Sequence, residues 1–319
     1  MVKEVVVGVD IGGTFTKYGL VDKEGNLFLE NSIETDVYEN AEDFISAFKD
    51  HLAHNIQASG EMFEIKGVGI GAPNGNYYSG CIEDAPNLRW KGVVPLAEMI
   101  HNTLGVPAIL TNDANAAALG EMIFGGAKGM KNFLMITLGT GLGSGLVVNG
   151  DLVYGHDGFA GELGHVNVVP KGRKCGCGKR GCLEAYVSAT GLRRTIFDLL
   201  ATETSESCFW EYSYNDLDPK QVTIAAEAGD PIALKAFQKT GKWLGRSLAD
   251  TVAHISPEAI FFFGGLARAG DWVLRPTKAA MEENLLDIFK GKVKLLPSAL
   301  HGKNIAVLGA SALMWKEMK

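Results

Sequence analysis

The sequence predicts an α/β protein built from two related lobes. Short runs of β-branched and aromatic residues alternate with segments of helical periodicity, which is typical of proteins with mixed or parallel sheets. The turn Gly12-Gly13-Thr14 after the first predicted strand is matched by Gly139-Thr140-Gly141 after a later one. Because the same strand-into-glycine turn occurs twice, we expect two related lobes with a cleft between them.

The first lobe begins with a predicted strand at Val5 to Val9. A helix follows where Phe44, Phe48, Leu52 and Ile56 recur every fourth residue. The other predicted strands of this lobe are Tyr18 to Val21, Leu27 to Leu29, Ile65 to Ile70 and Ala108 to Thr111. An Ala-rich helix is predicted directly after the last of them.

The second lobe is predicted from a strand at Phe133 to Leu138, which forms a hairpin with Leu146 to Val148. Asp230-Pro231 is typical of the first residues of a helix, here reaching about His254. Its remaining strand is Ala259 to Phe263, closed by Gly264-Gly265.

The end of the chain is predicted as a strand, Ile305 to Leu308, with a final helix after Gly309. We place the smaller lobe at residues 1–118 together with 305–319, and the larger lobe at residues 119–304. The polar segment Thr202 to Pro219 is predicted as an elaboration between helices.

Composition excludes several classes of protein. The 319 residues are 46% hydrophobic, enough for two cored domains, and carry a net charge of -7. No basic block offsets that acidity, so we expect neither nucleic acid nor a membrane surface as a partner. The apolar run that opens the chain is too short for an export signal or a membrane span, which predicts a cytoplasmic protein.

The first glycine turn has the features of a phosphate site. A strand delivers Asp10, and Gly12 and Gly13 let the backbone approach a phosphate, to which Thr14 can offer a hydroxyl and an amide. The alternative is an ordinary hairpin turn. The motif is neither a Walker loop nor a dinucleotide fingerprint.

The second turn, Gly139 to Gly143, is weak by itself because glycine turns between strands are common. Its pairing with the first turn favours a nucleotide held across a cleft.

A third motif, Thr111 to Ala118, starts the Ala-rich helix with Asn112 and Asp113. The plainer interpretation is that one of these residues caps the helix. The functional interpretation is that Asp113 accepts a proton from an attacking hydroxyl, with the helix N-terminus keeping it ionised.

The strongest signal is a metal-binding pattern of one histidine and three cysteines: His165, Cys175, Cys177 and Cys182. A Cys₃His set is a closed tetrahedral zinc site, so the ion is predicted to be structural. Reduced thiols packed in a core are the alternative, but the three basic residues among them make the loop polar. The zinc ion would also hold the nearby Glu162 and Glu184 beside one pocket.

Together these motifs resemble the ROK family of bacterial repressors, open reading frames and sugar kinases over nearly the whole chain. The resemblance rests on the two glycine turns, on Gly264-Gly265, and on the segment from Gly161 to His165 followed by Cys-x-Cys-Gly-x-x-Gly-Cys-x-Glu at Cys175 to Glu184. The last of these is the family's hallmark.

The resemblance implies a two-lobed, actin-like ATPase (ribonuclease H-like) fold with a zinc knuckle, in which ATP-Mg²⁺ and a hexose meet in the interlobe cleft. The implied nucleotide contacts are Asp10, Gly12, Gly13, Thr14, Gly139, Thr140, Gly141, Gly264 and Gly265. The implied sugar contacts are Asn87, Asn112, Asp113, Glu162, His165 and Glu184. His165 would use one ring nitrogen for zinc and the other for the sugar.

By the same resemblance we expect a glucokinase-type transferase of carbohydrate metabolism, at the start of glycolysis. Asp113 would deprotonate the 6-hydroxyl that attacks the γ-phosphoryl group. Glucose is the first expectation; mannose, fructose and N-acetylhexosamines stay open, as does polyphosphate as donor. A homodimer or homotetramer, formed through the larger lobe, is also implied.

Two other classes of protein share some of these features. A sugar-responsive repressor of the same family carries a DNA-binding domain before the first phosphate motif, whereas nine residues precede Asp10 here. An actin-like chaperone or filament protein shares the phosphate hairpins but has no need of the cysteine loop.

Overall fold

The computed structural model describes residues 2–300 and 304–318, which fall into two compact units. The first contains the described residues of 1–130, 152–160 and 299–319, and the second contains residues 131–151 and 161–298. Residues 119–130, residues 152–160 and the described part of 299–304 therefore group with the first unit, although the sequence placed them in the larger lobe. The two units are also nearly equal in length, rather than one small and one large.

The α/β prediction is confirmed by the elements. The strands are β1 (Lys3–Ile11), β2 (Phe15–Val21), β3 (Leu27–Glu34), β4 (Phe63–Gly71), β5 (Gly75–Asn76), β6 (Cys81–Glu83), β7 (Val93–Val94), β8 (Ala108–Thr111), β9 (Phe133–Leu138), β10 (Leu142–Val148), β11 (Asp151–Leu152), β12 (Ala259–Phe263) and β13 (Lys294–Pro297). The helices are α1 (Ala41–Ser59), α2 (Leu96–Leu104), α3 (Asp113–Ile123), α4 (Ala189–Leu200), α5 (Pro219–Glu227), α6 (Pro231–Ile255), α7 (Asp271–Asn284) and α8 (Ile305–Glu317).

Each unit contains a mixed five-stranded sheet among its described residues, and the two sheets share one topology. Their strand orders are β3-β2-β1-β4-β8 and β11-β10-β9-β12-β13. In each sheet the central strand, β1 or β9, pairs antiparallel with its hairpin partner and parallel with the strand on its other side. The predicted repetition of the strand-into-glycine turn thus reflects a repeated sheet.

The sheets are covered by helices that bury an apolar core in each unit. In the first unit Phe44 and Phe48 of α1 are fully buried, as the fourfold spacing predicts. In the second unit α6 begins where predicted, since the Asp230 side chain accepts hydrogen bonds from the main-chain nitrogens of Ile232 (2.9 Å) and Ala233 (3.0 Å).

The prediction for the C-terminal segment was wrong. Residues 305–308 are the first turn of α8, not a strand, and Gly309 lies inside the helix. The helix is buried on nearly all sides, so its sequence lacks the polar face by which an amphipathic helix is recognised. Gly309 lies against Gly120 of α3, where a side chain would have no room. His301 lies outside the described residues.

The segment from Thr202 to Pro219 was predicted as an elaboration between helices. It connects α4 and α5 and contains a short 3-10 turn, Cys208–Glu211. None of the described helices is both long and apolar enough to cross a membrane.

Candidate active site

The first glycine turn closes the β1–β2 hairpin through a hydrogen bond from the Gly12 nitrogen to the Phe15 carbonyl oxygen at 3.1 Å. Gly13 packs directly against the segment that carries Asn87, because a Cβ atom at position 13 would lie 2.7 Å from the Asn87 carbonyl oxygen. Thr14 is exposed. The turn therefore presents bare backbone next to Asn87, which the resemblance assigns to the sugar.

Three parallel strands end side by side at this turn. The register pairs Asp10 of β1 with Gly71 of β4, and Gly71 with Thr111 of β8. A Cβ atom at Gly71 would lie 3.2 Å from the Cβ of Ala116, so the first turns of α3 pack closely on this strand end. Ligands of open α/β sheets bind at such carboxyl ends of strands.

Asn112, and not Asp113, caps helix α3. Its Oδ1 accepts a hydrogen bond from the Asn115 main-chain nitrogen at 2.7 Å, while its backbone is extended. The amide nitrogen of Asn112 is left as the group that can donate to a ligand. Asp113 is the first helical residue, with Oδ1 accepting from the Ala114 nitrogen at 2.8 Å. The carboxylate of Asp113 is thus not consumed by the cap.

The electrostatics of this site differ from expectation in one respect. Desolvation by the surrounding protein raises the pKa of Asp113, although its side chain still contacts solvent, and hydrogen bonds from its own helix terminus offset this only in part. The hydrogen bonds of the helix N-terminus lower the pKa of Asp113, as predicted, but desolvation outweighs them. Burial also raises the pKa of Asp10, to about 6; the charge of Asp113 adds to the shift and Lys17 opposes it.

The second glycine turn closes the β9–β10 hairpin in the second unit. The Gly139 nitrogen donates to the Gly141 carbonyl oxygen at 3.0 Å, and the Ala189 nitrogen, at the start of α4, donates to the Gly139 oxygen at 2.9 Å. The Leu142 nitrogen donates to Oε2 of Glu184 at 3.0 Å. Glu184 was predicted as a sugar contact, and here it also holds this turn.

A cavity of about 390 Å³ lies beside Gly265 in the same unit. It is lined by one side of α5 and by the segment after β12. Its lining residues are Asp218, Pro219, Lys220, Thr223, Ile224, Glu227, Gly265, Arg268 and Ala269. Of these residues, the sequence predicted only Gly265 as a nucleotide contact. Ile224 of α5 is an apolar residue that stays 56% exposed in the fold, and the sequence alone does not show that exposure.

The four predicted metal ligands come together. One ligand atom from each of His165, Cys175, Cys177 and Cys182 lies within 4.8 Å of all the others. The Cys175 Sγ and His165 Nδ1 atoms are 3.7 Å apart, as are the Sγ atoms of Cys177 and Cys182. Ligands about 2.3 Å from a tetrahedral zinc ion stand about 3.8 Å apart. The donor set and its spacing therefore fit zinc.

The two nitrogens of His165 face different groups. Nδ1 is on the side of Cys175, and Nε2 is 3.8 Å from Oε2 of Glu162. One nitrogen is thus placed for the metal and the other is directed at an exposed carboxylate. The resemblance assigns this second nitrogen to the sugar, which stays a prediction.

A model of the ROK family matches residues 6–317. The chain belongs to the ROK family. It is 36% identical over 315 residues to a glucokinase of Streptomyces coelicolor, covering 97% of each chain. It is 30% identical over 310 residues to a xylose repressor of Bacillus spizizenii, covering 97% of this chain and 76% of the repressor.

Among solved structures, a ROK family glucokinase from Streptomyces griseus in complex with glucose and AMPPNP aligns with a TM-score of 0.80. It is 33% identical, and the match covers 97% of this chain and 98% of that one. The α/β fold predicted for a ROK sugar kinase is confirmed by this similarity.

Proposed function

We propose that this ROK protein is an ATP-dependent hexose kinase that transfers the γ-phosphoryl group of ATP to the 6-hydroxyl of glucose. The observation that carries the proposal is the position of Asp113. Its carboxylate follows the end of β8, which pairs with β4 at Gly71, and Gly71 pairs in turn with Asp10 of β1. Asn112 takes the capping role, so this carboxylate is not needed for it. Glucose is favoured because the glucokinases named above act on it, and AMPPNP, an ATP analogue, is bound in one of them.

The proposed phosphoryl transfer needs no covalent bond between the protein and the substrate. Asp113 accepts the proton of the 6-hydroxyl, a bond forms between that oxygen and the γ-phosphorus, and the bond to the β-phosphate oxygen breaks, so that ADP leaves. A general base works best when its pKa is near the working pH, so the raised pKa of Asp113 suits this role.

Two ions belong to the proposal. Asp10 would hold Mg²⁺ on the phosphates, because a carboxylate whose pKa is raised by burial and by a second carboxylate gains from a cation. His165 and the three cysteines would hold a structural zinc ion, which fixes the loop and the direction of His165 Nε2. Asn87, the Asn112 amide, Glu162 and Glu184 would supply the remaining hydrogen bonds to the sugar.

The cavity beside Gly265 is the proposed site of the adenosine. Its volume of about 390 Å³ lies in the range of small-molecule sites, about 300–1,000 Å³. Ile224 offers an apolar surface for a purine ring, and Thr223 and Lys220 offer polar groups beside it. The phosphates would then reach the backbone of the Gly139–Gly143 turn.

Location and assembly are part of the proposal. Three thiols gathered for one metal ion need a reducing compartment, which favours the cytoplasm. A homodimer or homotetramer is proposed from the family and is tested by light scattering of the purified protein.

The test is an ADP-release assay with ATP-Mg²⁺ and a panel of hexoses and N-acetylhexosamines. We expect glucose-dependent ADP formation, and a loss of about 10²- to 10⁴-fold in kcat for Asp113→Asn with glucose affinity retained. Asp50→Asn, on the exposed face of α1, is the matched control and should behave as the wild type. Near-normal turnover in Asp113→Asn would remove Asp113 from the mechanism.

One alternative is kept because of the repressor match: a sugar sensor without catalysis. Glucose or xylose binding by calorimetry, with no ADP release from zinc-loaded protein at any sugar, would favour the sensor over the kinase.

A further inference from the structure

The second glycine turn is fastened by both segments that carry the metal ligands, and not by its own hairpin alone. Leu142, the buried first residue of β10, stands at the centre of these contacts. Its nitrogen donates to Oε2 of Glu184 at 3.0 Å. Glu184 follows the ligand Cys182 by two residues, in the 3-10 turn Leu183–Ala185. One side of the turn is thus held by the segment that ends the cysteine loop.

The segment that carries the histidine ligand holds the other side. Gly164, the residue before His165, packs on the Leu142 carbonyl group so closely that a Cβ atom would lie 2.2 Å from its oxygen. Ser144 of β10 adds two bonds, because its Oγ donates to the Gly161 carbonyl oxygen and accepts from the Leu163 nitrogen. Both main-chain polar groups of Leu142 are therefore in contact with residues that lie within two positions of a predicted metal ligand.

Glu184 is the side chain that contacts the turn and the metal cluster at once. Its Oε1 is 3.3 Å from the Sγ of Cys175, while its Oε2 bonds to Leu142. The same Oε2 lies against Gly141, since a Cβ atom there would be only 2.4 Å from it. One side chain therefore connects the glycine turn to the cysteine loop.

We propose that Glu184 is a positioning residue that couples occupancy of the metal site to nucleotide affinity at the Gly139–Gly143 turn. The inference rests on the proposed function, in which this turn binds the phosphates of ATP. A bound ion fixes the segments on either side of Leu142, so Glu184 and Leu142 hold the turn in one conformation. A metal-free loop lets Glu184 move, and the turn must then be ordered by the nucleotide itself.

Such coupling is reciprocal, so it can be measured on the holoprotein. If zinc strengthens ADP binding by some factor, ADP must strengthen zinc binding by the same factor. The first measurement is the equilibrium removal of zinc by a chromophoric chelator, with and without saturating ADP. The second is the binding of ADP to the holoprotein, measured separately by calorimetry. A titration of free zinc with the same chelator and ADP corrects for zinc held by ADP.

We expect ADP to raise the zinc affinity of the wild type about tenfold. Glu184→Ala should bind zinc through its four intact ligands but lose most of this factor. Glu184→Gln keeps an oxygen that can accept from the Leu142 nitrogen, so it should keep most of it. A purely structural role of Glu184 would lower zinc affinity equally with and without ADP, and would leave the ratio unchanged.

The inference is overturned if ADP binds the wild-type holoprotein but leaves its zinc affinity unchanged, or if Glu184→Ala keeps the full tenfold ratio. In both cases the kinase proposal stands, because ADP has bound. Failure of ADP to bind the zinc-loaded protein at all would overturn the proposed function, and the coupling with it.

Discussion

Asp10 lies on β1 and Asp113 follows β8, the strands on either side of β4, and the charge of Asp113 helps to raise the pKa of Asp10 to about 6. Desolvation raises the pKa of both carboxylates, so it disfavours their ionised forms. The proposed reaction would bring a cation and a proton to this edge of the sheet.

The first prediction concerns the free-energy cost of ionising Asp10 in the folded protein. Asp10→Asn should raise the free energy of unfolding by about 1–2 kcal/mol at pH 8, because an ionised buried carboxylate is removed. The folded-state pKa is above the unfolded value of 3.8, so the wild type loses stability as pH rises through about 6. The advantage of the variant should therefore be complete above pH 6 and fade towards pH 4.

Urea unfolding between pH 4.5 and pH 8 measures this difference. Asp50→Asn is the control, since Asp50 is exposed on α1. An advantage of Asp10→Asn that stays constant over this range would contradict the assignment of the raised pKa to Asp10.

The second prediction separates the two roles of Asn112. Asn112→Asp keeps an N-cap of equal strength, whereas Asn112→Ala should lose about 1 kcal/mol of stability. Both variants lack the amide nitrogen, so both should lose glucose affinity by about tenfold. Thermal unfolding measures the first effect and calorimetry the second. Glucose affinity that follows stability, falling only in Asn112→Ala, would assign the residue to the cap alone.

The third prediction uses two adjacent glycines. Gly264 has φ +108° and no room for a side chain, because a Cβ atom would lie 2.3 Å from the Leu138 carbonyl oxygen. Gly264→Ala should cost about 1–3 kcal/mol of unfolding free energy. Gly265 has no heavy atom within 4 Å of a Cβ position, yet it lines the cavity beside α5.

Gly265→Leu should accordingly fold with nearly wild-type stability, within about 0.5 kcal/mol, and bind ADP about tenfold more weakly. Denaturant unfolding and calorimetry with ADP are the two measurements. Unchanged ADP affinity in a folded Gly265→Leu protein would remove this cavity from the nucleotide site.

The fourth prediction concerns the metal loop. Cys177→Ser should lose bound zinc and lower Tm by about 5–10 °C, because metal binding free energy contributes to folding. Cys208→Ser is the matched control: Cys208 is exposed and lies outside the cluster, so its variant should keep one zinc ion per chain.

Glucose affinity should fall with the zinc in Cys177→Ser, since the loop also directs His165 Nε2. Metal content by emission spectroscopy and calorimetry with glucose test this. A zinc-free variant with normal glucose affinity would break the proposed link between the metal and the sugar.

Local patterns determined much of this protein. The cluster of one histidine and three cysteines could be predicted directly, because the four candidate ligands are close in sequence and glycines between them let a short chain fold around one ion. The glycine turns and most strands were equally accessible, since each depends on residues within a few positions of one another. The spacing of Asn112 and Asp113 also placed the start of α3 correctly, but left open which of the two residues is the cap.

Tertiary structure decided what depends on packing between distant segments. Burial of α8 on nearly all sides erased the periodicity that identifies a helix, so its first turn was read as a strand. The pKa of Asp113 rises because of the protein around it, which the sequence near Asp113 does not contain. The contact of Glu184 with Leu142 joins residues that are 42 positions apart. The sequence by itself therefore determined which chemical groups are present and which local turns carry them. Long-range packing set the ionisation of those groups, their hydrogen-bond partners and the cavity beside α5, because these properties arise from neighbours that only the fold brings together.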